Sequence, residues 1–130
     1  GLVYHTRARF SAAEVNAGDT IVAAPGAGWK LRLVDAALIA IGGNAATADS
    51  VDILGTASAS GVKLMAGLVA GLTRSTLLRA GAATNGVILA DGASFTALDE
   101  DTAITIGKTG SNLATATHID ALVSYQVEEA

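Results

Sequence analysis

Cysteine is absent from this 130-residue sequence, and proline occurs once. Without cysteine there are no disulfides and no thiolate metal sites, and the redox compartment is left open. Aromatic residues are scarce: one Trp, two Tyr and two Phe offer few platforms on which bases or sugars could stack. Charge is sparse too, at 15% of residues against roughly 25% in an average soluble protein. With a net charge of −4 and eight scattered basic residues, the chain would repel a polyphosphate, so direct nucleic-acid binding is not expected. The longest strongly apolar run, Leu64 to Leu72, sits between Lys63 and Arg74 and falls far short of the ~20 residues of a membrane-spanning helix. No segment reads as an export leader, and synthesis in a cytoplasm is the expectation.

Hydrophobic residues make up 51% of the chain. A chain of this length fits one domain, able to bury about two thirds of the surface its unfolded form exposes. An apolar composition with so little charge points to a surface that meets other protein chains.

Fifteen glycines and Pro25 cut the sequence into short pieces. LVYHTRARF alternates, with Tyr4, Thr6, Ala8 and Phe10 on one side and Val3, His5, Arg7 and Arg9 on the other, which predicts a terminal strand. Ser11 and Glu14 stand at capping-box spacing, and Gly18 is placed to stop a single helical turn near residues 11–17. TIVAA predicts a strand and PGAG a turn. WKLRLVDAALIAI predicts a long strand whose core face holds Trp29, Leu31, Leu33, Ala37, Ile39 and Ile41, interrupted by Asp35. GGNAATAD reads as a loop and SVDILGTA as a strand. VKLMAGLVAGLT fits a strand better than a helix, because each glycine weakens a helix by roughly 1 kcal/mol; its Gly67–Gly71 spacing then carries no helix-packing meaning. STLLRA, GVILADG, FTAL, TAITIGK and THIDALVSYQV complete the set, with Asn85-Gly86 and Lys108-Thr109-Gly110 as turns. About eight to ten short strands at this spacing predict an all-β, single-domain antiparallel β-sandwich over residues 1–130.

Few residues offer chemistry. His118 and Asp120 project from one face of a strand, about 7 Å apart, so the carboxylate could orient the imidazole as in a catalytic triad. A triad also needs a nucleophile, and no G-x-S-x-G is present. His5 is the only other histidine; pairing of the first and last strands would bring it into a His5/His118/Asp120 metal cluster, against the plainer reading of a polar strand face. The run Asp99-Glu100-Asp101 lacks the spacing of an EF-hand loop and reads as a solvated edge, although cation binding is left open. Asp35, inside an apolar face, marks a bulge, an ion pair with an arginine or a subunit contact. PGAGWK and GLTRST lack phosphate-loop spacing. No cofactor and no enzymatic activity are expected.

Two segments, AAPGAGWKLRLVDAALIAIGGNAATADSVDI (Ala23 to Ile53) and TAITIGKTGSNLATATHIDALVSY (Thr102 to Tyr125), together a little under half the chain, resemble small structural proteins of tailed bacteriophages, of the head decoration or capsid cement kind. The resemblance implies a jelly-roll-like sandwich, commonly trimeric, that sits on the capsid exterior of the virion and clamps neighbouring major capsid proteins. Arg7, Arg9, His118 and Asp120 are then the expected capsid or subunit contacts, and the chain ends the expected strand-exchanging elements. A tail or fibre component with a receptor- or carbohydrate-binding role is the alternative. It needs exposed aromatic rings, and several of Trp29, Tyr4, Tyr125, Phe10 and Phe95 fall on expected core faces.

Overall fold

The computed structural model describes Gly1–Ala130. Nine strands form two sheets: β1 (Tyr4–Ser11), β2 (Asp19–Val22), β3 (Trp29–Ile41), β4 (Ala45–Ala57), β5 (Ser60–Leu68), β6 (Leu77–Arg79), β7 (Gly86–Ile88), β8 (Ile104–Thr115) and β9 (His118–Glu129). The four-stranded sheet runs β1-β9-β3-β6 and the five-stranded sheet β2-β8-β4-β5-β7, with every strand pair antiparallel. The pairs β1/β9, β2/β8, β3/β6 and β4/β5 are those of a jelly roll, and β7 is an extra strand on the free edge of β5. The all-β sandwich expected from the sequence is the observed fold.

The helical turn lies where the capping pattern placed it, as α1 (Ala12–Ala17). Ser11 Oγ accepts from the Glu14 amide at 3.1 Å and Glu14 Oε1 from the Ser11 amide at 2.9 Å, so each side chain satisfies the other residue's free backbone donor. Gly18, at φ 86°, ends the turn.

Between the sheets lies one core in which Leu31, Leu33, Leu38, Ile53, Leu64, Met65, Leu72, Ile104, Ile106 and Ile119 are the largest fully covered side chains. β3 has the bounds expected of it, but only half of its expected core face is right. A register shift between Leu33 and Asp35 against β9 extrudes Val34. Such a bulge shifts the alternation by one residue. Beyond it Ala36, Leu38 and Ala40 point into the core, and Ala37, Ile39 and Ile41 turn outward. Gly67 lies in β5, where an added Cβ would stand 2.8 Å from Leu38 Cδ1; its lack of a side chain lets the sheets close over Leu38.

Three further expectations are corrected. Lys108-Thr109-Gly110 is no turn but part of β8, bent where Gly110 takes φ 86° and β4 carries two register shifts. β4 begins at Ala45, inside the stretch read as a loop, with Thr47 at φ 74°. FTAL is not a strand: Phe95 ends a 3-10 turn, and Ala97 makes only a single bridge to Arg32. Polar residues with local hydrogen-bonding options obscure the first two, and the shortness of the apolar run the third.

Candidate functional site

Pairing of the first and last strands does occur, and it brings Arg7, Arg9 and Asp120 together. Arg9 stands opposite Asp120 and Arg7 opposite Leu122, on the outer face of the four-stranded sheet. Arg7 donates to Asp120 Oδ2 from Nε at 3.2 Å and Nη2 at 2.6 Å. Arg9 donates from Nε to Oδ1 at 2.7 Å and from Nη2 to Oδ2 at 3.2 Å. The carboxylate is 1% exposed although it lies on an outer face, because the two guanidiniums, 59% and 55% exposed, form its roof. The Arg9 hydrogen bond, with help from Arg7, holds the Asp120 carboxyl below the ordinary carboxylate value against burial, which pushes it up. The same bond raises the pKa of Arg9.

Asp120 therefore belongs to the arginines and not to His118. His118 lies opposite Ser11 with Nδ1 3.0 Å from Thr117 Oγ1. His5 lies opposite Ser124 at the far end of the ladder, Nδ1 2.7 Å from Ser124 Oγ. Six residues of strand separate the two histidine positions on that ladder, on the order of 20 Å, so the structure does not assemble the His5/His118/Asp120 constellation.

Next to the arginine roof is a shallow depression of about 440 Å³. One cross-strand row, Arg7–Leu122–Ala37–Arg79, runs through it. The bulge at Val34 is what turns Ala37 outward beside Leu122, giving an apolar floor with an arginine at each end. Arg79, 63% exposed, contacts Asp35 at 3.3 Å, and Asp35 Oδ1 accepts from the Ala36 amide at 2.9 Å, bracing the bulge. The face carries five cations, Arg7, Arg9, Lys30, Arg32 and Arg79, against three acids, Asp35, Asp120 and Glu128. That is a surplus of two positive charges in a chain of net charge −4, so the remainder carries −6. Arg32 and Glu128 pair at 2.5 Å, and this bond lowers the pKa of Glu128 and raises that of Arg32.

The acidic run does more than solvate an edge. Asp99 accepts from the Ser58 and Ala59 amides at 3.0 and 2.8 Å, satisfying a hairpin turn in which both residues have positive φ. Glu100 accepts from Gly28 at 2.8 Å and Asp101 from Gly26 at 2.9 Å. The run thus holds two loops from other parts of the chain.

Sequence reading missed a second buried carboxylate, Asp52, on the outer face of the other sheet. It accepts from Ser50 Oγ at 2.7 Å and Thr109 Oγ1 at 2.6 Å, with Lys63 Nζ at 3.7 Å. Arg79, Ala37 and Leu122 were also not identified as site residues, since their convergence depends on strand pairing.

The aromatic expectation is corrected in part. Phe10 is buried and Phe95 packs against the core, but Tyr4 and Trp29 are 46% and 44% exposed. Tyr4 stacks on Tyr125 with ring centroids 5.6 Å apart. Both have inward parity, but Trp29 is the first residue of β3 and Tyr4 the first residue of edge strand β1, where the core no longer covers them.

The chain matches no model of a known protein family and no curated protein.

Proposed function

We propose that the chain is a structural virion protein that binds the outside of a phage capsid as an oligomer and stabilises the shell by clamping neighbouring major capsid proteins. The observation that carries this reading is the outer face of the four-stranded sheet. There a preorganised arginine pair over a buried carboxylate borders an apolar depression, on a rigid sheet with surplus positive charge. Such a face suits contact with protein surface, since arginine and apolar floor supply the energy of protein interfaces. The two segments that resemble decoration proteins fall on β3, β4, β8 and β9, the long central strands of both sheets, which supports the resemblance as one of fold. Binding restricted to the assembled shell stabilises it by mass action, more strongly when several sites engage at once. The test is to add purified protein to phage heads that lack it and follow the temperature of DNA release. The release temperature should rise in step with bound protein; bound protein without a rise, or no binding, refutes the reading.

The half-exposed Trp29 and Tyr4 favour one second reading, a tail or fibre module that stacks sugar rings. Binding on a glycan array that disappears with Trp29→Ala would support it in place of the first.

A further inference from the structure

Two surfaces of this molecule are complementary to each other. Where β3 begins and β9 ends, Trp29 and Val127 are exposed at 44% and 38%. Three acids lie on the backbone stretches that meet at Trp29, beside one cation, Lys30. Glu129 faces Trp29 across the β3/β9 ladder, the Asp101 amide donates to the Trp29 carbonyl at 2.8 Å, and Glu100 is bonded to the Gly28 amide next to it. None of these three acids is in an ion pair. The depression on the outer face has the opposite character, with an apolar floor at Leu122 and Ala37 between the exposed guanidiniums of Arg7 and Arg79, and a single acid, Asp35, paired with Arg79 at its rim.

We infer that the acidic Trp29 end of one copy seats in the Arg7/Arg79 depression of the next, head to tail. The inference rests on the oligomeric part of the reading above and not on its capsid partner. A depression of about 440 Å³ lies in the range of roughly 300–1,000 Å³ that holds a drug-sized molecule, which accommodates an indole. Guanidiniums at its two ends can stack on the ring face while the acids around Trp29 meet the surplus positive charge. Charge also selects the occupant. A chain of net charge −4 repels its own copies unless their opposite surfaces meet, and this contact puts the positive face of one copy against the end of another that carries Glu100, Asp101 and Glu129. Because the two surfaces differ, the interface is heterologous, and it closes a ring where the rotation allows.

Two variants each spoil one surface: Arg79→Glu the depression, Trp29→Ala the end. Glu129→Lys is a second variant of the end, used if Trp29→Ala does not fold, with circular dichroism as the check. In sedimentation velocity the wild type should associate, and each variant should weaken association by roughly tenfold or more, as expected of an interface centre. Mixed together, the two variants should form an equimolar dimer, since one intact depression and one intact end remain between them. A wild type that stays monomeric overturns this inference together with the oligomeric part of the proposed function. An oligomer indifferent to both variants, or single variants that dissociate and give no mixed dimer, overturns this inference alone.

Discussion

Replacing Asp120 by Asn preserves volume but removes the charge that the two arginines share. Oδ2 accepts three of the four hydrogen bonds and Oδ1 one, so an amide that turns its oxygen to the first position keeps three weakened bonds and aims an N–H at Arg9. Breaking a fully buried ion pair costs about 3–5 kcal/mol. Here the guanidiniums are half exposed and return to water, so about 2 kcal/mol is expected. For a chain of this size that is a fall in Tm of about 8 °C at neutral pH. The effect has a pH signature. Asp120 titrates below its unfolded value, about 3.9, so between the two values the native state binds fewer protons than the unfolded state. The stability it contributes is therefore complete above the unfolded value and lost as pH falls through the lower value held in the fold. Thermal melts of wild type and Asp120→Asn from pH 7 downward should show a gap that closes below about pH 4. A gap that persists unchanged into strong acid, or a variant as stable as wild type at neutral pH, refutes the assignment.

Three further outcomes follow from the packing. Asp99→Ala should cost about 1 kcal/mol and speed hydrogen exchange at the Ser58 and Ala59 amides, whose acceptor it removes; unchanged exchange there would contradict the clasp. Leu38→Ala, at a site with 0% exposure, should lower stability in urea titration by about 2–5 kcal/mol. Gly67→Ala, which places a Cβ 2.8 Å from Leu38 Cδ1, should cost about 1–3 kcal/mol, and combining it with Leu38→Ala should cost less than the two effects added.

Legibility from sequence depended on how local each feature was. The capping box at Ser11 and Glu14 lies within four residues and was readable in full. β3 was readable as a strand, but its second half was assigned the wrong face, because Ala36, Leu38 and Ala40 are as apolar as Ala37, Ile39 and Ile41 and alternation cannot choose between them. The sole local sign was Asp35, which braces the bulge. Arg7, Arg9 and Asp120 were readable as exposed-face residues of terminal strands. Their convergence was not, since 111 and 113 residues separate the partners and His118 offered a nearer pairing. The acidic run was visible as charge, but its partners are backbone amides of distant loops, which leave no trace in side-chain pattern. Asp52 was missed because its burial depends on strand pairing, Thr109 reaching it across the sheet from 57 residues away.

The outer face of the four-stranded sheet has an apolar floor supplied by a bulge and arginines supplied by both edge strands, and the proposed role rests on that face. Titration of purified protein against phage heads, counting bound chains per major capsid protein, tests the proposed role most directly. Saturation at a fixed ratio, unchanged by excess protein, is the predicted result; uptake that never saturates, or none at all, would contradict it.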